Sequence, residues 1–213
     1  MWGDAGVHSL GVFVASAVLL NLTPGADTAF VVARTLAGGR AVGILSAIGI
    51  SCGSVIHCLL VAFGLSSLLI AEPRVFLLVQ GAGVAWLGAI AVQLWRSADH
   101  GVRTLQAANS AAGLRVFVQA VVTNLLNPKV ALFFVALMPQ FVHPDHATHA
   151  SPYLLLGALF LLTGTLVSVG QAVMAARLSA ALREPQRWRL TQRLSATWLA
   201  VLALWMAWQL LPA

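Results

Sequence analysis

The sequence predicts an all-α integral membrane protein: six transmembrane helices forming two inverted three-helix repeats, with the first and fourth helices broken. Three observations lead there. Of 213 residues, 60% are hydrophobic and only 8% charged, with mean hydropathy +0.90; a soluble domain carries about one quarter charged residues. The apolar residues fall into six runs, each near or above the roughly 20 residues that a helical span needs. The first and fourth runs are each interrupted by a proline among polar residues, at NLTPGAD (Asn21 to Asp27) and NLLNPK (Asn124 to Lys129).

The runs are Ser9 to Ala33, Ala41 to Ile70, Val75 to Trp95, Val116 to Val142, Pro152 to Ala176 and Leu194 to Leu211. They are continuously apolar, whereas β-barrel spans alternate every second residue, so helices are predicted. The second run is long for one straight span and is expected to bend or overrun the hydrocarbon near Gly64. Six spans with short loops use almost the whole chain. Residues 1–213 therefore read as one transporter domain, with repeats of about 1–100 and 101–213. The start, MWGDAGVHS, lacks the basic residues of a cleavable signal, so the first run is expected to be a retained helix.

In helix one, Thr23-Pro24 has the grammar of a helix start, an N-cap followed by proline at the first helical position. Pro24 also deprives the Leu20 carbonyl of its helical donor. A kink or unwound stretch over residues 21 to 25 follows, with Gly25 permitting close approach and Asp27 in the first turn of a new half-helix. Helix four repeats this with Asn127 as cap, Pro128 and then Lys129. Aligning the two prolines also aligns Phe13 with Phe117, Val14 with Val118, Phe30 with Phe134 and Val31 with Val135. Each proline lies in the first helix of a three-helix half. Three is odd, so the halves cross the membrane in opposite senses, and interrupted segments in corresponding places mark a secondary transporter.

Two half-helix N-termini then face the midplane, each offering unpaired N–H groups and partial positive charge. Asp27 and Lys129 add full charges, each costing about 2.5 to 3.5 kcal/mol at a helix centre. Pairing with each other or with a zwitterion offsets that cost. An amino acid suits the site: its carboxylate matches helix N-termini and Lys129, its ammonium matches Asp27 and the carbonyls freed at the breaks. The candidate substrate-binding residues are Asn21, Thr23, Pro24, Gly25, Asp27, Asn124, Asn127, Pro128 and Lys129. The plainer alternative is an Asp27–Lys129 pair that only fixes packing. In helix two, Gly49, Gly53 and His57 share a face. The glycines read as helix packing. His57 reads either as a proton relay alongside Asp27 or as a histidine bonded to a neighbouring helix. Thr163, Thr165, Ser168 and Gln171 either line a path or bond between helices.

Orientation follows from the basic residues. Arg34 and Arg40 lie between runs one and two; Arg96, Arg103 and Arg115 between three and four; Arg177, Arg183, Arg187, Arg189 and Arg193 between five and six. These are ten of the twelve basic residues. Only Arg74 falls on the opposite side, and the positive-inside rule then places both termini outside the cytoplasm. The net charge of +6 is expected to meet anionic lipid headgroups rather than nucleic acid, with Arg177 to Arg193 read as a headgroup-bound loop.

Other classes fit less well. His143, His146 and His149 are spaced like metal ligands but have no cysteine beside them, so a solvated loop is expected and no metal site is assigned. A cation or cadmium exporter would have only Cys52, Cys58 and Asp27 as ligands. A thiol-based electron carrier needs cysteines that meet, and these two are on different faces of one helix. No phosphate-binding loop is present, and no cofactor or enzymatic arrangement is called for.

The stretches NLTPGADTAFVVARTLAGGRAVGILSAIGISCGSVIHCLLVAFGL, GAGVAWLGAIAVQLWRS and FVQAVVTNLLNPKVALFFVALMPQFV together resemble the LysE/RhtB family of amino-acid exporters. Thr-Pro-Gly and Asn-Pro-Lys are the specific parts; residues 143 to 213 match only in hydropathy and placement. The resemblance implies a small permease of the bacterial inner membrane that exports amino acids or derivatives, driven by protons and often homodimeric. One departure stands out. The family commonly follows Thr-Pro-Gly with a second proline, where this chain has Ala26.

Overall fold

The computed structural model describes residues 6–23, 25–64, 73–97, 110–180 and 185–208. Pro24 lies outside them. The first apolar run is two half-helices, α1 (Leu10–Leu22) and α2 (Ala26–Gly38). Then come α3 (Arg40–Ala62), α4 (Pro73–Ser97) and α5 (Ser110–Leu125). The short α6 (Pro128–Leu132) runs into a π-helical turn at Phe133–Leu137 and a 3-10 turn at Met138–Phe141. The long α7 (Ala150–Ala180) and α8 (Pro185–Trp208) complete the described elements. Regular structure among the described residues is helical except for one isolated bridge, Val7 to Val142.

Among the described residues, two helices, α3 and α7, are individually long and apolar enough to cross a membrane. The pairs α1–α2 and Ala112–Leu125 with Pro128–Phe141 each pass the same test as bent spans, with bends of 49° and 50°. Exposed side chains are those lipid would contact: Leu162, Leu166, Met174 and Leu178 form a stripe along α7, and Leu194, Trp198, Val201 and Leu204 one along α8. Large apolar side chains thus face outward as well as inward, as expected where the surrounding solvent is hydrocarbon.

Several boundaries differ from the sequence reading. Within the second run α3 ends at Ala62 with Phe63 as its cap, followed by Gly64 at φ 73°, a left-handed conformation glycine adopts at no steric cost. Residues 65–72 of that run lie outside the described residues. The stretch read as a loop from Arg177 to Arg193 is mostly helix: α7 continues to Ala180, and α8 starts at Pro185, where proline suits the first helical position. Both helices overrun the apolar part of their sequence, which hydropathy cannot show. Arg34 is not in a loop either. It lies within α2 and is only 5% exposed.

The principal packing partners cross the two halves of the chain: α4 on α8, and α3 on both α5 and α7. Glycines set how close they come. An added Cβ at Gly49 would sit 2.6 Å from the Ala120 Cβ and 2.7 Å from the Phe117 carbonyl oxygen; at Gly53 it would sit 2.7 Å from Asn124. The small-residue face of α3 therefore seats α5 backbone to backbone. On α7, Gly157 faces Cys58 in the same way. Two apolar cores result. One, around Phe30, Ile50, Leu87, Leu94 and Leu199, lies toward the α2 C-terminus. The other, around Phe13, Phe133, Phe134, Met138 and Phe160, lies toward residues 141–153. The broken segments sit between them.

Candidate functional site

At the first break α1 ends at Leu22. Thr23 caps that end: its N–H reaches the Leu19 and Leu20 carbonyls, and its Oγ1 donates to the Leu19 oxygen at 2.7 Å. Thr23 was expected to cap the start of the second half-helix. Gly25 takes that position instead, with φ −165° and ψ −167°. The physical reason is that threonine's hydroxyl finds the Leu19 carbonyl one turn back, a local bond that competes with capping forward. At the second break Asn127 is the N-cap, its Oδ1 accepting from the Lys129 N–H at 3.1 Å, with Pro128 in the first turn.

A narrow polar cleft lies where the breaks face each other. Asn21, Asp27, Ser51, Asn127, Lys129 and Thr165 line it, with Thr28, Ser54 and Ser168 beside them and Phe160 and Ile50 as apolar wall. Gly25 and Lys129, which occupy corresponding positions when the prolines are aligned, adjoin here; a Cβ on Gly25 would be 3.5 Å from Lys129 Nζ. Of the sequence candidates, Asn21, Gly25, Asp27, Asn127 and Lys129 line the cleft. Asn124 lies just behind it, and Pro24 is outside the described residues.

The two opposite charges do not pair with each other in this conformation. Lys129 Nζ donates to the Leu20 oxygen at 2.6 Å and the Thr23 oxygen at 2.7 Å. The side chain of the second half thus satisfies carbonyls released by the break in the first. Asp27 Oδ2 accepts from Asn124 Nδ2 at 2.7 Å. Asp27 Oδ1 and Asn21 Nδ2 are buried with no hydrogen-bond partner. An acceptor and a donor on two residues that line the same cleft are therefore unmatched, and buried polar atoms are otherwise almost always paired. Gly164 leaves space for the Asn21 amide; an added Cβ would be 3.3 Å from it.

His57 is buried behind this site rather than in it. Its Nε2 lies 3.2 Å from the Asn124 backbone oxygen, and its ring stacks on Phe134 at 5.8 Å. A carbonyl only accepts, so Nε2 carries the hydrogen. Asn124, fully buried, thus links His57 through its carbonyl to Asp27 through its side chain, and its Oδ1 accepts from Ser54 at 3.3 Å. Thr165 shares a 2.7 Å hydrogen bond with Ser51, so α3 and α7 close one wall of the cleft. Ser168 lines it, Gln171 donates to Thr28 Oγ1 at 3.4 Å, and Thr163 turns to its own helix's carbonyls.

Two features escaped the sequence. One is the π-helical turn at Phe133–Leu137, a geometry common at functional sites. Pro139 is its detectable signal, because it cannot donate to the Val135 carbonyl and crowds it. The other is Arg34 with Gln93 and Gln119, a polar cluster inside the bundle. Cys52 and Cys58 are free and do not line the cleft; Cys58 Sγ points to the Tyr153 oxygen at 3.7 Å. His143 packs against His8 and His146 against His149, and no three potential metal ligands converge among the described residues.

The sequence matches the family model described as LysE type translocator over residues 18–210. It is 31% identical over 176 residues to a homoserine/homoserine lactone efflux protein of Salmonella typhimurium, covering 82% of this chain and 84% of that protein. It is 31% identical over 181 residues to an uncharacterized membrane protein of Vibrio cholerae, covering 84% and 86%. A further uncharacterized membrane protein, from Pseudomonas aeruginosa, is 32% identical over 186 residues, covering 85% and 86%. No solved structure matches the chain.

Proposed function

The chain belongs to the LysE-type translocators, and from that premise we propose that it is a secondary-active, proton-coupled exporter of amino acids or amino-acid derivatives in a bacterial inner membrane. Six spans in two inverted repeats carry the cleft, with both termini outside the cytoplasm and the arginine-bearing helix ends against anionic headgroups. The name of the Salmonella relative, an efflux protein for homoserine and its lactone, supports the substrate class.

The observation that carries the reading is the unmatched pair on one cleft, Asp27 Oδ1 as acceptor and Asn21 Nδ2 as donor. The ammonium of an amino acid completes Asp27; its carboxylate takes the Asn21 amide, with Lys129 beside it. A hydrogen bond to a charged group is worth about 1.5 to 3 kcal/mol, similar to the cost of holding Asp27 in the span. Much of that cost stays unrecovered until substrate arrives, so substrate binding and relief of the buried charge are one event. The lining carries one negative and one positive side chain, and a zwitterion leaves that balance unchanged.

Coupling runs through Asp27 in this scheme. Ionised, it holds the ammonium; a proton arriving from outside neutralises it, releases the amine and is carried inward on return. His57 contributes through Asn124, to which it is hydrogen-bonded, rather than by touching substrate.

The test is efflux from cells loaded with labelled amino acids, comparing wild type with Asp27→Asn at matched membrane expression. Faster loss of one or a few amino acids in wild type, absent in the variant, is expected. Equal loss from both would remove Asp27 from the mechanism.

A further inference from the structure

Asp27 and Arg34 lie on the same face of α2, seven residues and about 10 Å apart at roughly 1.5 Å per residue. Arg34 is the chain's second buried charge on that face, and nothing in the substrate scheme above uses it. Its Nη2 donates to Gln93 Oε1 at 3.1 Å and to Gln119 Oε1 at 2.5 Å, and Gln119 Nε2 donates to the same Gln93 oxygen at 3.1 Å. Its guanidinium rests 5.3 Å above the Phe30 ring. Its Nε is buried without a partner. Three helices, α2, α4 and α5, thus supply a cationic fork and two primary amides at one point.

This cluster adjoins an open groove. Gln93 and Gln119 line a groove between α4 and α5, together with Trp86, Leu114, Val118 and the exposed Arg115. No carboxylate accompanies Arg34 or Arg115 among the described residues. A buried guanidinium is normally matched by an anion, and the fork fits a carboxylate with two parallel bonds. Two amide oxygens converge on Nη2 while Nε has no acceptor, so a carboxylate replacing them would bond Nη2 and Nε side by side. Glutamine amides can also turn to present their N–H groups to an anion.

The geometry points to a second recognition site: Arg34, framed by Gln93 and Gln119, takes the substrate carboxylate on its way to the central cleft and selects for molecules that carry one. The inference rests on the export reading above and specifies its substrate as the carboxylate-bearing form, in preference to an amide, ester or lactone. In the present arrangement the glutamine oxygens occupy Nη2 and leave Nε open. A carboxylate displaces them and takes both nitrogens. Selectivity is then exercised before the cleft, at a point where the ammonium is not yet read.

The experiment compares initial counterflow rates of L-homoserine and L-homoserine amide in proteoliposomes of the purified full chain. The variants are Arg34→Gln and Gln119→Glu, with melting temperature as the folding control. Gln119→Glu is close in shape and places an internal carboxylate on Arg34, so it protects the fold while occupying the fork. The wild type is expected to favour the acid, and both variants are expected to lower the acid-to-amide ratio by at least about tenfold, the equivalent of one lost charge-assisted bond. An unchanged ratio in Gln119→Glu, whether or not both rates fall, overturns the inference and leaves Arg34 as a packing lock. Amino-acid counterflow in the wild type with no acid preference overturns it as well. Failure of the wild type to move any amino acid, here and in the loading experiment, instead overturns the export reading.

Discussion

Asn124 is the residue on which the site's polar connections converge. It is fully buried, holds Asp27 through its amide, accepts from Ser54, and offers its carbonyl to His57. Asn124→Ala leaves Asp27 Oδ2 without its donor, a loss of about 1.5 to 3 kcal/mol. Substrate affinity is expected to fall by about one to two orders of magnitude, measured as the concentration for half-maximal counterflow, while insertion persists. Lys129→Met leaves the Thr23 carbonyl unmatched and the Leu20 carbonyl with only the 3.2 Å bond from the Thr23 N–H, a loss of about 1 to 3 kcal/mol for the unmatched group. That variant is expected to lower the melting temperature as well as transport, whereas Asp27→Asn lowers transport alone. Asp27 and Lys129 were legible in the sequence because a charge inside an apolar run is conspicuous. Their partners were not: pairing between the two charges is the simplest expectation from composition, but Lys129 has a long, flexible stem and reaches carbonyls that the first break frees. Arg34 escaped because it stands at the end of an apolar run, where hydropathy cannot separate the last turn of a helix from a loop.

The breaks themselves were readable, since proline after a capping residue interrupts a helix wherever it occurs. The near-equal bends of 49° and 50° agree with the alignment of Pro24 and Pro128, although the two are capped differently, by Gly25 and by Asn127. Cap choice was not readable, because Thr23 had carbonyl partners on one side and amide partners on the other. Glycine spacing on α3 was readable, and its consequence is specific. Gly53 lies against Asn124, so Gly53→Ala forces α5 away or displaces the residue that holds Asp27. Overpacking of this kind costs about 1 to 3 kcal/mol. Transport is expected to drop more for Gly53→Ala than for Gly11→Ala, where an added Cβ meets nothing within 4 Å. Comparing the two at equal expression separates helix seating from a general effect of the methyl group.

Across the whole molecule, the halves are interleaved, with α3 seated on α5 and α7 and α4 on α8. The cleft is therefore built from both, and rocking one half against the other would expose it alternately to each side. In the proposed orientation, the arginine asymmetry sets which side is which. Moving Arg34 into the bundle removes one residue from that count and leaves its sign unchanged. Cysteine introduced as His149→Cys, in a chain with Cys52→Ala and Cys58→Ala, is expected to react with an impermeant maleimide from outside intact spheroplasts; protection there, with reaction only after lysis, would invert the topology. The central claim is that opposed helix breaks form an amino-acid site read by Asp27. Its most direct measurement is exchange of labelled amino acid across proteoliposomes containing purified wild type or Asp27→Asn of equal melting temperature. Saturable exchange in the wild type and none in the variant is the predicted result. Saturable exchange of equal rate in both would contradict the account.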